Sequence, residues 1–418
     1  MRVWLVQRAE STPHDDGGDR RLMRIGILAD ILRSNGHEVI WWTSAFDHVG
    51  KRKRFHRSTR LEVKKNYYIH YLKSFGYKKN ISISRFIDNY LITKEFKKEA
   101  NKDKEKPDVI LTSIPSVEMS QIAVSYANEN NIPVILDIRD LYPDVFLDLL
   151  PKSFSWVIKI LTRTMRNNLF DSCKNATAIS GITNDFVDWG INHADRDRTE
   201  KDNFFPMAYV KGKINEEKQT EAYSFWEKLG VFKNDKVLNV VFIGTFTNSF
   251  EFDTIFESAK ILDNKKTPVR FIFCGVGVKE NNIRKSCEKL NNCVFAGWIN
   301  APQIKIILKL SDVGLAPYIH SKNFIDNFPN KPAEYLSENL LIATSLSTGK
   351  LCDFVYSNRC GLSYGTDKYK LSSFLEKLSY NKDYLKLLTK NAKNGYINNL
   401  DGKIVYKSMA KFIENFSR

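Results

Sequence analysis

Residues 326–338, Asp-Asn-Phe-Pro-Asn-Lys-Pro-Ala-Glu-Tyr-Leu-Ser-Glu, combine the side chains best suited to chemistry in this chain. Asn327, Pro329 and Asn330 predict a turn, Lys331 and Pro332 open a helix, and the apolar run 340–343 predicts a strand soon after. A helix start attracts anions, because its first backbone N–H groups have no partner inside the helix and the macrodipole is positive there. Lys331 adds a full charge, so the turn suits a phosphate. Asp326 and Glu334 bracket it, and their carboxylates can accept hydrogen bonds from hydroxyls. Hydroxyls joined to a diphosphate describe a nucleotide sugar. The ordinary alternative is a Glu that only faces the helix dipole and a Pro-Asn that only turns the chain.

Two alternating series of strands and helices are available to position these groups. The first opens with a strand over 2–7, a polar loop over 11–18 with His14 and the pair Gly17-Gly18, a helix from Arg20 with apolar Leu22, Ile25, Leu28 and Leu32, and a strand over 39–43. Units of this kind build parallel sheets that bind ligands at the carboxyl ends of the strands. Gly17-Gly18 would let a ligand approach the backbone, or it merely connects. Helices follow over 83–102 and 116–130, with strands over 108–112 and 133–137. The last strand runs into Asp137-Ile138-Arg139-Asp140, where Asp140 could accept from an acceptor hydroxyl and Arg139 could meet an anion. A structural Asp-Arg pair is the competing reading. A helix over 156–170, a strand over 177–180 and a helix start over 184–189 complete this half.

The polar stretch 195–218 suits a domain crossing. The second series has strands over 237–243, 269–273, 294–296 and 313–316, three of them tipped by glycine at Gly244, Gly275 and Gly297. Gly244 would make room for a diphosphate, and the backbone at Gly297 and Trp298 would receive a nucleobase. Gly275-Val276-Gly277 lacks the third glycine of a dinucleotide fingerprint, so NAD is not expected.

At 418 residues, 43% hydrophobic and 27% charged, the chain reads as a globular protein of two domains. Its net charge of +16 points to an anionic partner. The six cysteines show no C-x-x-C pair and no metal-site spacing, which suggests free thiols in a reducing cytoplasm. Neither a signal peptide nor a bilayer-spanning apolar run is expected. Residues 51–79 alternate basic and aromatic side chains. They read as a solvated loop, a surface for anionic lipid headgroups, or a nucleic-acid patch lacking any recognition motif.

The whole chain resembles the glycosyltransferase family 4 enzymes of the GT-B fold. The resemblance rests on Gly17-Gly18, Gly-His-Glu-Val at 36–39, Arg-Asp-Leu-Tyr-Pro at 139–143, Phe-Ile-Gly at 242–244, Cys-Gly-Val-Gly at 274–277, Ala-Gly-Trp at 296–298, Ser-Asp-Val-Gly-Leu-Ala-Pro at 311–317 and Pro-Asn-Lys-Pro-Ala-Glu-Tyr at 329–335. It implies two Rossmann-like α/β domains facing across a cleft: 1–205 with the helix 400–418 for the acceptor, and 206–399 for the donor. It also implies a retaining transfer from a nucleoside diphosphate sugar, UDP-linked by family habit, with no metal and no cofactor. The implied acceptor is a lipid-linked saccharide of bacterial surface polysaccharide assembly, reached from the cytoplasmic face of the plasma membrane.

By that resemblance Glu334 holds the ribose hydroxyls as the second acid of an E-x7-E motif, and Asp326 stands where the family places its first acid, on the transferred sugar. Thr245 and Glu251 replace the Arg and Lys with which relatives grip the diphosphate. Neutralisation then falls to Lys331, the helix start at Asn330, and backbone near Gly17 and Gly244. Catalytic roles are expected for Asp140, Lys331 and Asp326. Donor contacts are expected at Gly17, Gly18, Gly244, Thr245, Gly275, Gly297, Trp298, Asn330, Lys331 and Glu334, and acceptor contacts at His14, Arg20, Arg21 and Arg139. A GT-B nucleotide-sugar epimerase and a basic nucleic-acid-binding protein are the competing functions, the latter with steeply salt-dependent binding.

Overall fold

The computed structural model describes residues 1–15, 21–79, 82–149, 155–212, 214–233 and 236–416. The chain divides into two compact units, Met1–Pro206 with Ile404–Arg418, and Met207–Lys403.

The first unit is built on a sheet ordered Asn203–Phe204, Ala178–Gly181, Val134–Ile138, Val109–Ile114, Arg2–Val6, Glu38–Ser44, Tyr67–Leu72, Thr59–Lys64. Every neighbouring pair is parallel except the last, an antiparallel edge. Helices cover both faces of a parallel sheet, so its strands are near-continuous apolar runs such as Val-Trp-Leu-Val at 3–6. Trp4 anchors one face, its ring 4.8 Å from Trp42 and 5.4 Å from Tyr126.

Three sequence expectations shift here. The first helix is Arg24–Ser34, with residues 21–23 outside it, and it closes at Asn35 and Gly36 (φ 91°) as its Asn-Gly end suggests. The expected helix 156–170 is two, Ser155–Leu161 and Arg163–Asn175. Between them the Thr162 hydroxyl donates to the Ile158 carbonyl at 2.7 Å, a back-bond that bends helices. Residues 59–72 form a hairpin of two strands. Its alternation turns Tyr67, Ile69 and Tyr71 into the core and leaves Lys64 and Lys65 in solvent.

Arg24 ties this unit together. Its side chain is fully buried and donates to Asp137 at 2.8 Å and to the Phe205 carbonyl at 2.7 Å. Ser180 also donates to Asp137, and the Tyr406 ring lies 5.9 Å from the guanidinium. One cation thus joins a helix, two strand ends, the end of the first run and the C-terminal helix.

The second unit has six parallel strands ordered Cys293–Gly297, Val269–Cys274, Leu238–Ile243, Val313–Ala316, Leu341–Thr344, Gly361–Ser363. The order reverses between Leu238–Ile243 and Val313–Ala316, so connections leave in opposite directions and a crevice opens at their carboxyl ends.

Replacing Arg24 by Met leaves Asp137 buried without its cation and is expected to destabilise the first unit by about 3–5 kcal/mol. The double variant Arg24→Met/Asp137→Leu should recover most of that loss. Urea denaturation checks both, and equal losses in the single and double variants would refute the pairing.

Candidate active site

Lys331 lies at the crevice of the second unit, and glycine chemistry explains how it gets there. The helix Asn330–Ser337 starts after Pro329, which supplies no side-chain cap, so the N–H groups of its first turn are left for other acceptors. Tyr335 on the same helix is fully buried. Its ring lies against Gly314, where a Cβ would approach within 2.2 Å, and its hydroxyl accepts from the Ile243 amide at 3.1 Å. That contact sets the helix beside the end of Leu238–Ile243. The Lys331 side chain then crosses Gly244 (φ 154°), where a Cβ would fall 2.4 Å from Cε and 2.8 Å from Nζ. Aromatic rings form the floor beneath, with the ammonium 4.9 Å from the Phe250 centroid and 6.0 Å from that of Phe242. Burial lowers the Lys331 pKa from its ordinary value, and the Glu334 carboxylate opposes that shift. An ammonium held partly desolvated is stabilised by any anion that arrives.

The neighbouring strand ends interlock closely. Gly244 N–H donates to the Cys274 carbonyl at 2.9 Å and Gly275 N–H to that of Gly297 at 2.7 Å. A Cβ on Gly275 (φ 150°) would meet the Gly244 carbonyl oxygen at 1.9 Å, so this turn admits only glycine. Thr245 is exposed, and Trp298 stands 69% exposed beside Gly297. Asp326 ends the short helix Lys322–Ile325, five positions ahead of Lys331. Asn327 Oδ1 and Glu251 Oε2 are buried here with no hydrogen-bond partner among the described residues. Glu251 Oε1 accepts from Thr254 N–H at 2.9 Å, so Glu251 satisfies a first-turn amide of the helix Asp253–Asn264.

In the first unit the loop after Arg2–Val6 is fixed by buried charge. Asp15 accepts from Arg54 Nε at 2.7 Å and Nη2 at 2.6 Å, and from Thr12 N–H at 2.7 Å. Arg54 also donates to the carbonyls of Ser44 and Phe46. His14 is exposed, with Nδ1 2.9 Å from the Tyr71 hydroxyl, which itself donates to Thr12. Gly17, Gly18 and Arg20 lie outside the described residues, and Arg21 is half-buried just after them. Arg139 pairs with Glu10, whose other oxygen accepts from Ile25 N–H at 3.0 Å. It therefore braces the start of the first helix. Asp140 Oδ1 is buried with no hydrogen-bond partner among the described residues. Burial raises the Asp140 carboxyl to about 6, against the Leu141 amide and the Arg139 charge, which pull it down.

The structure thus gathers Gly244, Gly275, Gly297, Asn330, Lys331 and Glu334 around the carboxyl edge of the second sheet, and His14, Arg139 and Asp140 around that of the first. Among the described residues no three His, Cys, Asp or Glu side chains converge to hold a metal ion. Sequence reasoning missed Tyr335, Gly314 and the Phe242–Phe250 floor. Tyr335 belongs to the run Pro-Asn-Lys-Pro-Ala-Glu-Tyr at 329–335, but its contact with Gly314, 21 positions earlier, is not encoded by any local spacing.

The sequence model of the family described as "Glycosyl transferases group 1" matches residues 227–395, which include every candidate of the second unit. No curated protein matches the sequence. Among solved structures, sucrose-phosphate synthase (tll1590) from Thermosynechococcus elongatus superposes with a TM-score of 0.71 at 12% identity, over 99% of this chain and 98% of that one. Anabaena Alr3699/HepE in complex with UDP and glucose gives 0.65 at 10% identity, over 99% and 100%. WaaG, a glycosyltransferase involved in lipopolysaccharide biosynthesis, gives 0.65 at 12% identity, over 98% and 99%. At such identities the likeness is one of fold. The chain has the GT-B fold of two Rossmann-like domains, and its second domain carries a group 1 glycosyl transferase segment, which makes the protein a transferase.

Proposed function

We propose that the protein is a retaining, metal-independent glycosyltransferase that uses a nucleoside diphosphate sugar, with uridine as the base, and delivers the sugar to a lipid-linked saccharide of bacterial surface polysaccharide assembly. The observation that carries this reading is the Lys331 ammonium lying across Gly244 beside an uncapped helix start. The complex of HepE with UDP-glucose, on the same fold, supports the donor class, and the lipopolysaccharide role of WaaG supports the acceptor class.

The second domain holds the donor. Its diphosphate sits against Lys331 and the first N–H groups of Asn330–Ser337, the ribose hydroxyls donate to Glu334, Asp326 receives the sugar hydroxyls, and the base lies by Gly297 and Trp298. Breaking the sugar to phosphate bond leaves negative charge on the diphosphate, so these positive groups favour the transition state over the ground state. The acceptor attacks from the same face as the departing phosphate, whose oxygen takes the acceptor's proton. The first domain holds the acceptor near His14 and Arg21, with Asp140 accepting a hydrogen bond from the reacting hydroxyl.

Peripheral contact with anionic lipid on the cytoplasmic face of the plasma membrane is part of this proposal, and the surface of the first domain supports it. In residues 51–79 the tyrosines at 67, 71 and 77 face the core, while Lys51, Lys53, Lys73, Lys78, Lys79 and Phe75 are exposed. Asp88 accepts from the amides of Phe75 and Gly76, which fixes that turn to the helix Ile83–Lys102. Ile83, Phe86, Ile87 and Tyr90 form an exposed apolar stripe on the same helix. Apolar side chains beside lysines suit a headgroup surface. Among the described residues no helix is long and apolar enough to cross a membrane.

Lys331→Ala is expected to lower turnover of a UDP-sugar by about 10²–10³-fold, with loss of the thermal stabilisation that UDP gives the wild type. Normal turnover in that variant would remove the lysine from the mechanism. Asp140 titrates above its ordinary 3.8, at about 6, so kcat/KM should rise as pH passes 6. Because its folded pKa is raised, the protonated form stabilises the fold below the ordinary value and that contribution disappears as pH climbs through 6. Asp140→Asn should therefore abolish the acid limb of the rate profile and raise stability at pH 7.5 by on the order of 2 kcal/mol. A variant with an unchanged pH profile would make Asp140 structural. Phe86→Glu/Ile87→Glu should lose co-sedimentation with vesicles containing phosphatidylglycerol while retaining UDP binding. Unchanged sedimentation would move the membrane contact elsewhere.

A further inference from the structure

Five lysines, Lys233, Lys382, Lys386, Lys390 and Lys393, line one groove of about 610 Å³ in the second unit. Its place in the fold separates it from the site above. Val237 and Asp312, also in its wall, immediately precede the strands Leu238–Ile243 and Val313–Ala316, so the groove lies at the amino edge of the sheet. Lys331 and Gly244 belong to the opposite, carboxyl edge.

Four of these lysines come from the helix Lys382–Asn399. Residues 382, 386 and 390 recur every four positions and 393 follows three later, which puts them on one face of the helix. Like charges at this spacing repel and weaken a helix, so the arrangement is unfavourable without a counter-anion. Among the described residues, carboxylates partner two of the five. Asp383 is the helix's single acid and stands 3.9 Å from Lys386. Both Asp312 oxygens are occupied, one by Lys233 at 2.6 Å and the other by the Asn239 amide at 2.9 Å. Lys382, Lys390 and Lys393 have no carboxylate partner among the described residues. The row spans roughly 16 Å of helix, longer than one phosphate needs. Val237, Leu385 and the lysine stems give the groove an apolar floor. A flat bilayer cannot enter a concavity of this kind, whereas a small molecule can.

We propose that this groove binds a small molecule carrying two or more phosphates, at a site distinct from that of the sugar donor and independent of the function proposed above. The chemistry is shared by a nucleoside triphosphate and a bare polyphosphate.

Isothermal titration with inorganic tripolyphosphate and with ATP tests the site in full-length protein. The Lys331→Ala variant, disabled at the carboxyl edge, should still bind one tripolyphosphate per chain. Adding Lys386→Glu/Lys390→Glu should weaken that binding by on the order of tenfold or more, and binding should fall with added salt. Tighter binding of ATP would place its base on Val237 and Leu385, and equal affinity would assign recognition to the phosphates alone. In the unmutated protein, tripolyphosphate should raise amide-exchange protection across 382–393. Absence of binding in Lys331→Ala, affinity indifferent to the two charge reversals, unchanged protection of 382–393, or association with anionic vesicles alone would each overturn the proposal.

Discussion

The second domain depends on one close approach: a lysine side chain lying on a residue that has no side chain. Lys331 can cross the end of the strand Leu238–Ile243 only because position 244 is glycine, and it is aimed there because Tyr335 packs on a second glycine, Gly314. Each contact would be filled by a single methyl group. The result is a positive charge held over aromatic rings, partly removed from water, beside a helix start that no side chain caps among the described residues. Every part of that arrangement improves when an anion binds.

The first domain uses charge differently, as internal bracing. Arg24 with Asp137, Arg54 with Asp15, Arg139 with Glu10 and Arg8 with Asp88 are ion pairs of low exposure that tie loops to strand ends. Buried pairs of this type contribute little net stability compared with apolar packing, but losing one partner strands the other, so they enforce particular loop positions. Arg54 shows why a basic run cannot be read as a surface from composition. It sits among exposed lysines and arginines in the sequence, yet it is the residue that organises the loop bearing His14.

The surplus of positive charge therefore has several destinations. Some is internal, some flanks the apolar stripe on Ile83–Lys102, and some lines the lysine groove at the amino edge of the second sheet. Lys331 accounts for a single unit of it, although it is the unit nearest the expected chemistry. Glu251 shows a complementary economy of anions. A carboxylate of the chain itself accepts from a first-turn amide of Asp253–Asn264, whereas no side chain caps the helix that starts at Asn330.

How much was legible in the sequence depended on how local the cause was. Apolar runs bounded by glycine, and helical periodicity bounded by Asn-Gly or Pro, identified most strands and most helices of both domains, because those signals arise within one element, but not the hairpin over 59–72 or the edge strands Asn203–Phe204 and Gly361–Ser363. The turn-helix around Lys331 was readable for the same reason. By itself, then, the sequence determined the α/β alternation, the glycine-tipped strands and an anion-attracting helix start. Only the tertiary structure decided that Lys331 crosses Gly244, that Tyr335 and Gly314 set its position, that Arg139 braces Glu10, that Asp140 is buried enough to titrate near 6, and that lysines 11 positions apart on a late helix share a groove with Lys233. These are contacts between residues far apart in the chain, and they follow from the order in which strands pair, which no local pattern of side chains specifies.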